Sequence, residues 1–382
     1  MEKEPISRRA FIRGSSLAAA GAVAGMAARA EAAGKAADSS KILNYHAKMH
    51  YRRLGKTTLM LSEISLGGHW KNRNAGRYWD AFSNDDVPPD VAQNRTDVVS
   101  ACIDSGINYL DITTAAECLS YGAALKGRRE KMYVGADIHN LGPRGSDRCN
   151  VKAQTHNVEE CLRLLKTDYI DIWRPQAKMD GTNTDAEVQV LIQTFDKLHQ
   201  EGKARHLGIS SHARPWLEHV LQTFPQFEMI IFPCSAKTRE KGAQPAPGNV
   251  EEANPGYGDQ TQSLFKTVLE KDIGIVTIKP FFGGNLFPDS SNKVKFPVMG
   301  VGSKVENDLA RLTLQCILTN KAITATVPGL STGYEVENAA RASYTRTFGL
   351  SAADQQWLDG ITDERWAALP EDYAWLRDWE IV

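Results

Sequence analysis

Short apolar runs and amphipathic stretches alternate along most of the chain. The runs are Ile64–Gly67, Asn108–Ile112, Met132–Ala136, Tyr169–Trp173, Ala204–Ser210, Met229–Phe232, Gly274–Ile278 and Ile323–Val327. They are rich in Ile, Val, Leu and Tyr and bounded by Gly, Pro or Asp, which predicts strands. Between them Val158, Cys161, Leu162 and Leu165 recur at helical spacing, as do Val188, Leu191, Ile192 and Phe195. Leu264, Val268 and Leu269, and then Leu309, Leu312, Thr313 and Cys316, follow the same pattern. Each set predicts a helix with one apolar face. Gly106, Gly202 and Gly274 stand where those helices should stop in a left-handed residue. Strand centres recur roughly every 37 residues, the size of a βα unit, and eight such units predict an α/β fold, the (β/α)8 TIM barrel. A doubly wound open sheet would carry a G-x-G-x-x-G turn after its first strand, and none is present.

Segments outside the repeat set the domain plan. Residues 51–61 predict an N-terminal hairpin turning near Gly55. Residues 71–93 and 236–260 lengthen the loops after the first and sixth strands, on the face where a barrel carries its chemistry. Residues 351–382 form a C-terminal aromatic tail with Trp357, Trp366, Tyr373, Trp375 and Trp379. These aromatics either line a pocket or cover the barrel. The plan is therefore residues 1–32 as a leader, 33–48 as a linker, 49–350 as the barrel and 351–382 as a tail packing on it.

Composition narrows the partners. The 45 Lys+Arg nearly balance the 46 Asp+Glu, a net charge of -1. That gives no electrostatic footprint for nucleic acid. No apolar run outside the N-terminus is long enough for stable membrane insertion. The N-terminus itself has a basic Ser7-Arg8-Arg9-Ala10-Phe11-Ile12-Arg13, an Ala/Gly-rich run and a small-x-small site at Ala28-Arg29-Ala30. This reads as a signal peptide, and the paired arginines resemble a twin-arginine (Tat) signal. The expected location is periplasmic or secreted, with the Tat export machinery as a partner. The six cysteines form no C-x-x-C pair, so no zinc or iron–sulfur spacing is present. Cys102, Cys161 and Cys316 lie among apolar residues and read as buried thiols.

Five segments carry a family resemblance. They are Tyr51–Thr57 with Ser65-Leu66-Gly67-Gly68, Gly106–Asp111, Asp168–Trp173, Gly202–Ser211 and Val327–Thr332. In this order they resemble the aldo-keto reductases from about residue 49 to about 345. The resemblance implies reduction of carbonyls with NADPH by a tetrad of Asp, Tyr, Lys and His. Asp111 matches the Asp. Ala116 stands at the Tyr position, Asp137 at the Lys position and Gln176 at the His position. The proton donor must therefore come from elsewhere. Glu117 and Tyr121 are the candidates, each also readable structurally, Glu117 as a helix cap and Tyr121 as a packed helix residue.

For the cofactor, NADP or NAD, the resemblance points to Ser210 and Ser211 at the nicotinamide. It puts Lys279, Pro280, Gly283 and Gly284 at the pyrophosphate, and Gly329, Ser331 and Thr332 at a phosphate-binding helix start. Asp111 and Asp137 should share one mouth. There they would act as a coupled acid–base pair or, with Glu117, as a cation site, or else Asp137 pairs with Arg174 or Lys178. His69, His139 and His212 follow strands one, three and five, without metal-ligand spacing. The first reading is an exported nicotinamide-dependent oxidoreductase acting on a small carbonyl or sugar-like substrate. The alternatives are a non-redox carbohydrate enzyme (hydrolase, lyase or epimerase) and a binding protein without catalysis.

Overall fold

All eight apolar runs enter one parallel sheet. A computed structural model of the chain describes residues 39–70, 86–240, 263–287, 304–347 and 349–382. The leader, most of residues 71–93 and most of residues 236–260 lie outside the described residues. The elements below all belong to the compact unit Leu43–Val382.

The hairpin is β1 (Tyr51–Arg53) and β2 (Met60–Ser62), antiparallel, with Gly55 at a left-handed φ of 49°. The sheet strands are β3 (Leu66–Gly67), β4 (Tyr109–Ile112), β5 (Tyr133–Ala136), β6 (Ile170–Trp173), β7 (Ala204–Ser210), β8 (Met229–Pro233), β9 (Gly274–Ile278) and β10 (Ile323–Thr326). They lie side by side in chain order, every pair parallel. Helices run between and after them: α1 (Pro89–Asp104), α2 (Ala115–Ala124), α3 (Val151–Leu165), α4 (Asp185–Gln200), α5 (Arg214–Thr223), α6 (Leu264–Glu270), α7 (Lys304–Leu318), α8 (Gly333–Tyr344) and α9 (Ala352–Ala367). The result is a curled parallel sheet surrounded by helices. The Ser65 amide donates to Thr326 O at 3.0 Å, the Thr326 amide to Glu63 O at 2.9 Å and the Gly67 amide to Pro328 O at 3.1 Å. These bonds join the segment around β3 to β10.

The strands read as unbroken apolar runs because both of their faces are covered. Leu110, Ile112, Ile170, Trp173, Ile230 and Phe232 pack toward the helices in the large core. Tyr109, Ile172, Met229, Ile231, Val276 and Ala325 form a second core with Leu54, Leu59 and Leu61 of the hairpin. The hairpin thus fills the inside of the sheet at one end. Period-two alternation carries the polar residues inward too: Asp111 follows Tyr109 by two positions, and Arg174 follows Ile172 by two.

Three sequence expectations need correction. α6 buries Leu264 and Val268 as expected, with Phe265 and Thr267, but Leu269 is 50% exposed. Gly274 does not end a helix; Asp272 takes the left-handed residue at φ 52°, and Gly274 opens β9 against Leu54, whose Cδ1 a Cβ would meet at 2.4 Å. Cys316 is only partly buried, whereas Cys102, Cys118, Cys161 and Cys234 are buried and all six cysteines are free thiols. Among the described residues no helix is long and apolar enough to cross a membrane.

Candidate active site at the strand ends

Parallel strands deliver their C-terminal residues to one face, and the candidate chemistry gathers there. Asp111 at the end of β4 meets Arg174, the residue just past β6. The guanidinium grips the carboxylate with two bonds, Nε to Oδ1 at 2.6 Å and a terminal nitrogen to Oδ2 at 2.7 Å. It also donates to Ile112 O at 2.8 Å, and the Tyr109 hydroxyl donates to Asp111 Oδ1 at 3.1 Å. Burial pushes the Asp111 carboxyl up, against the pull of Arg174 and Tyr109. Burial pushes the Arg174 guanidinium down, and Asp111 more than reverses this. The three guanidinium bonds and the Tyr109 hydroxyl offset the cost of burying this bidentate pair.

Glu117 lies in the first turn of α2, where Thr114 caps the helix by accepting from the Glu117 amide at 3.2 Å. The chain bends so that Glu117 is fully buried beneath His69. Its Oε2 accepts from the Thr113 amide at 2.6 Å and the Thr113 hydroxyl at 3.0 Å. His69 Nδ1 lies 2.9 Å from both Thr113 Oγ1 and Glu117 Oε1. The aligned hydrogen bond is the one to Thr113, and Glu117 Oε1 lies against the same ring nitrogen. Burial pushes the Glu117 carboxyl up, but His69 and the Thr113 bonds more than offset this and hold it below the ordinary range. Gly68 makes the approach sterically possible, since a Cβ there would fall 2.2 Å from Glu117 Oε2.

Asp137, just past β5, pairs with neither expected cation. Arg174 is taken by Asp111, and Lys178 reaches Glu187 at 3.1 Å. Asp137 instead accepts from Asn157 Nδ2 at 2.8 Å and from the Gln176 amide at 3.2 Å. Burial raises its carboxyl, opposed chiefly by the Arg174 charge. The Gln176 side chain spans 3.4 Å contacts to Asp137 O and to the Arg144 guanidinium, and its backbone bridges to Ser210. Among the described residues no group of three or more His, Cys, Asp and Glu is placed to hold a metal ion. The imagined cation site is divided: Asp111 goes to Arg174 and Glu117 to His69.

Tyr121 points into the packing between α2 and β3. Its hydroxyl donates to Gly67 O at 3.0 Å and accepts from Arg95 at 3.4 Å, and burial pushes it up to about 12. His139 Nδ1 is bonded to Thr113 O at 3.0 Å. Arg174 and Thr113 were not sequence candidates for the acid–base site; the inward phase of β6 was the available signal for Arg174.

Residues 79–348 match the aldo/keto reductase family. The chain belongs to the aldo/keto reductase family. It is 23% identical over 335 residues to the L-galactose dehydrogenase of Arabidopsis thaliana, covering 82% of this chain and 93% of that protein. Its fold is similar to that of aldo-keto reductase AKR11C1 from Bacillus halodurans in its holo form, at 19% identity and a TM-score of 0.55, covering 82% and 96% of the two chains. It is also similar to an aldo/keto reductase from Klebsiella pneumoniae in complex with NADP and acetate, at 15% identity and a TM-score of 0.53, covering 81% and 94%.

The residues that the aldo/keto reductase resemblance assigns to a dinucleotide are engaged by the chain itself. Ser211 Oγ accepts from the Ala213 amide at 3.0 Å. The Ser331 amide, which would face a phosphate, donates to Glu335 Oε2 at 2.6 Å, and Thr332 caps α8 through the Glu335 amide at 3.2 Å. Gly329 packs on His69 O, where a Cβ would come within 2.6 Å. Lys279, Phe282, Gly283 and Gly284 all have left-handed φ, and Pro280 is buried. Burial and then the Arg144 charge push the Lys279 ammonium down. The Gly283 face is covered by Tyr373, which a Cβ would meet at 2.0 Å. As folded, these residues do not fit a bound dinucleotide.

Proposed function

We propose that the chain is an oxidoreductase of the aldo/keto reductase type acting on a small carbonyl or sugar-like substrate at the C-terminal ends of the strands. His69, held by Glu117, takes over the proton transfer that the family gives to its Tyr. The observation carrying this reading is the 2.9 Å contact of His69 Nδ1 with the fully buried Glu117 carboxylate. The Thr113 hydroxyl and the Glu117 carboxylate together fix the imidazole through one ring nitrogen, which orients the ring for proton transfer. The His69 side chain is 37% exposed, so substrate has access to the ring. Arg174 takes the part of the missing Lys as the cation on Asp111, and so fixes the floor of the site.

Several parts of the reading rest on the family. The bonds from the β3 segment to β10 support reading the sheet as a closed (β/α)8 barrel. The L-galactose dehydrogenase relative supports a sugar-like substrate. NADP or NAD is the family's redox partner, and the NADP complex of the Klebsiella relative supports it for this chain. With Tyr373 on Gly283, the proposed pyrophosphate approach is filled as folded. That filling favours a second reading, acid–base chemistry on a sugar without net redox change, using the same His69–Glu117 pair.

The deciding assay offers carbonyl and sugar substrates with NADPH or NADP and scores both nicotinamide absorbance and sugar isomer composition. Glu117→Gln should lower turnover about 100-fold or more with the fold intact. Full turnover in that variant ends both readings. A nicotinamide signal selects the first reading, and isomer change without one selects the second. Tat export of the chain is likewise our proposal, supported by Ser7–Arg13. Replacing Arg8 and Arg9 by Lys should leave the protein inside the cell, and continued export would remove that proposal.

A further inference from the structure

The segment Glu371–Val382 crosses the ends of β7, β8 and β9. Trp375 stacks on His212, with ring centres 4.2 Å apart and planes 11° apart. Trp379 stacks on Phe232 at 4.9 Å and 13°, and its indole N–H donates to His212 O at 2.9 Å. Tyr373 rests on the bare backbone of Gly283. The backbone is pinned as well: the Val382 amide donates to Arg239 O at 2.9 Å, the Arg239 amide to Glu380 O at 2.6 Å, and Arg214 Nε to Asp378 O at 3.3 Å.

These contacts reproduce the requirements of a different ligand. A flat ring lies against the strand ends, a ring N–H meets a backbone carbonyl, and an aromatic ring covers a glycine turn that a phosphate would otherwise approach. The same stretch stacks on His212, the residue that follows Ser210 and Ser211 in the chain, and covers Gly283. His212 Nδ1 is buried there without a hydrogen-bond partner. Burial, followed by the charges of Lys279, Arg144 and His69, pushes His212 down to about 3, so it stays a neutral flat surface. Leu376 and Trp379 are buried, whereas Tyr373 and Trp375 are only half-buried. The segment is held by packing and hydrogen bonds, with no disulfide to fix it.

We infer that Glu371–Val382 and a nicotinamide dinucleotide compete for one groove, so that the cofactor binds only when this segment leaves it. The inference rests on the oxidoreductase reading above. An affinity measured on the whole population falls by the fraction of chains with the groove open. If one chain in about a hundred is open, apparent binding is about a hundredfold weaker than the groove's own.

The test measures NADPH and NADP affinity of the full exported chain and of its Trp375→Ala and Trp379→Ala variants, with hydrogen exchange of the C-terminal amides alongside. The variants should bind at least about tenfold tighter than the parent. Saturating NADP should speed exchange at the Val382 amide of the parent. Trp379 is buried and its variant is the riskier fold; Trp375, half-exposed, carries the test by itself. Parent binding equal to or tighter than that of Trp375→Ala, with Val382 exchange unchanged by NADP, overturns the inference and leaves the oxidoreductase reading standing. Absence of binding in the parent and both variants at millimolar dinucleotide overturns both.

Discussion

From β3 to β6 the strand ends are lined by polar side chains bonded to one another; from β7 to β9 they are covered by aromatic rings from the far end of the chain. On the first side Asp111 has Arg174, Glu117 has His69 and Thr113, and Asp137 has Asn157 and Gln176. On the second side His212 has Trp375, Phe232 has Trp379, and Gly283 has Tyr373. Buried charges survive only where partners are fixed close by, so the first side must be rigid. Aromatic stacking needs no such fixed counter-charge, which is the basis for the inferred exchange of one flat occupant for another on the second side. In the proposed function, the first side carries the proton chemistry and the second side selects what lies beside it.

The strongest way to break the polar side is Arg174→Leu. It leaves the Asp111 carboxyl buried without its cation, and should cost about 3 to 5 kcal/mol in urea unfolding. A loss under about 1 kcal/mol would mean that Asp111 is neutral and the pair is not ionic. On the aromatic side, Trp379→Ala should cost about 3 kcal/mol by loss of a buried ring. If calorimetry shows no loss, the tail is not packed on β8 in solution.

Acid should distinguish the two sides next. Glu117 is held below its ordinary value of 4.5 in the fold. A depressed carboxyl contributes stability above its unfolded pKa and loses it as pH falls through the folded value. Unfolding midpoints should therefore drop below about pH 4.5, and Glu117→Gln should flatten that limb. An identical acid limb in the variant would show that His69 does not hold Glu117. The smallest change is Tyr121→Phe, which removes one buried hydroxyl bond to Gly67 and should cost about 1 kcal/mol with turnover intact. A large fall in turnover would instead make Tyr121 the acid.

Much of the fold was legible because strand burial and helix amphipathicity are local patterns. All eight strand runs are present, and each overlaps its predicted range. The errors came where a neighbour distant in sequence decides. Leu269 has apolar spacing but is 50% exposed, and Gly274 is required by Leu54 of the hairpin. The positions of several candidate residues were legible, and their pairings were not. Asp111, Glu117, Asp137 and Gln176 could be placed at strand ends from the repeat, and His69 from its position after the first strand. Nothing in their spacing showed that Arg174 would answer Asp111, since it arrives 63 positions later from another strand.

By itself the sequence determined the parallel sheet, its period and the hairpin. These follow from residue identity at fixed intervals, which backbone geometry converts directly into faces. Only the tertiary structure decided that Arg174 completes Asp111, that Glu117 lies under His69 and that the tail covers the ends of β7 to β9. Each depends on chain segments that approach through packing of the whole sheet, and Trp379 reaches His212 across 167 positions. Short-range pattern is blind to such meetings, because the energy that selects them is the burial and charge pairing of groups that no local interval connects.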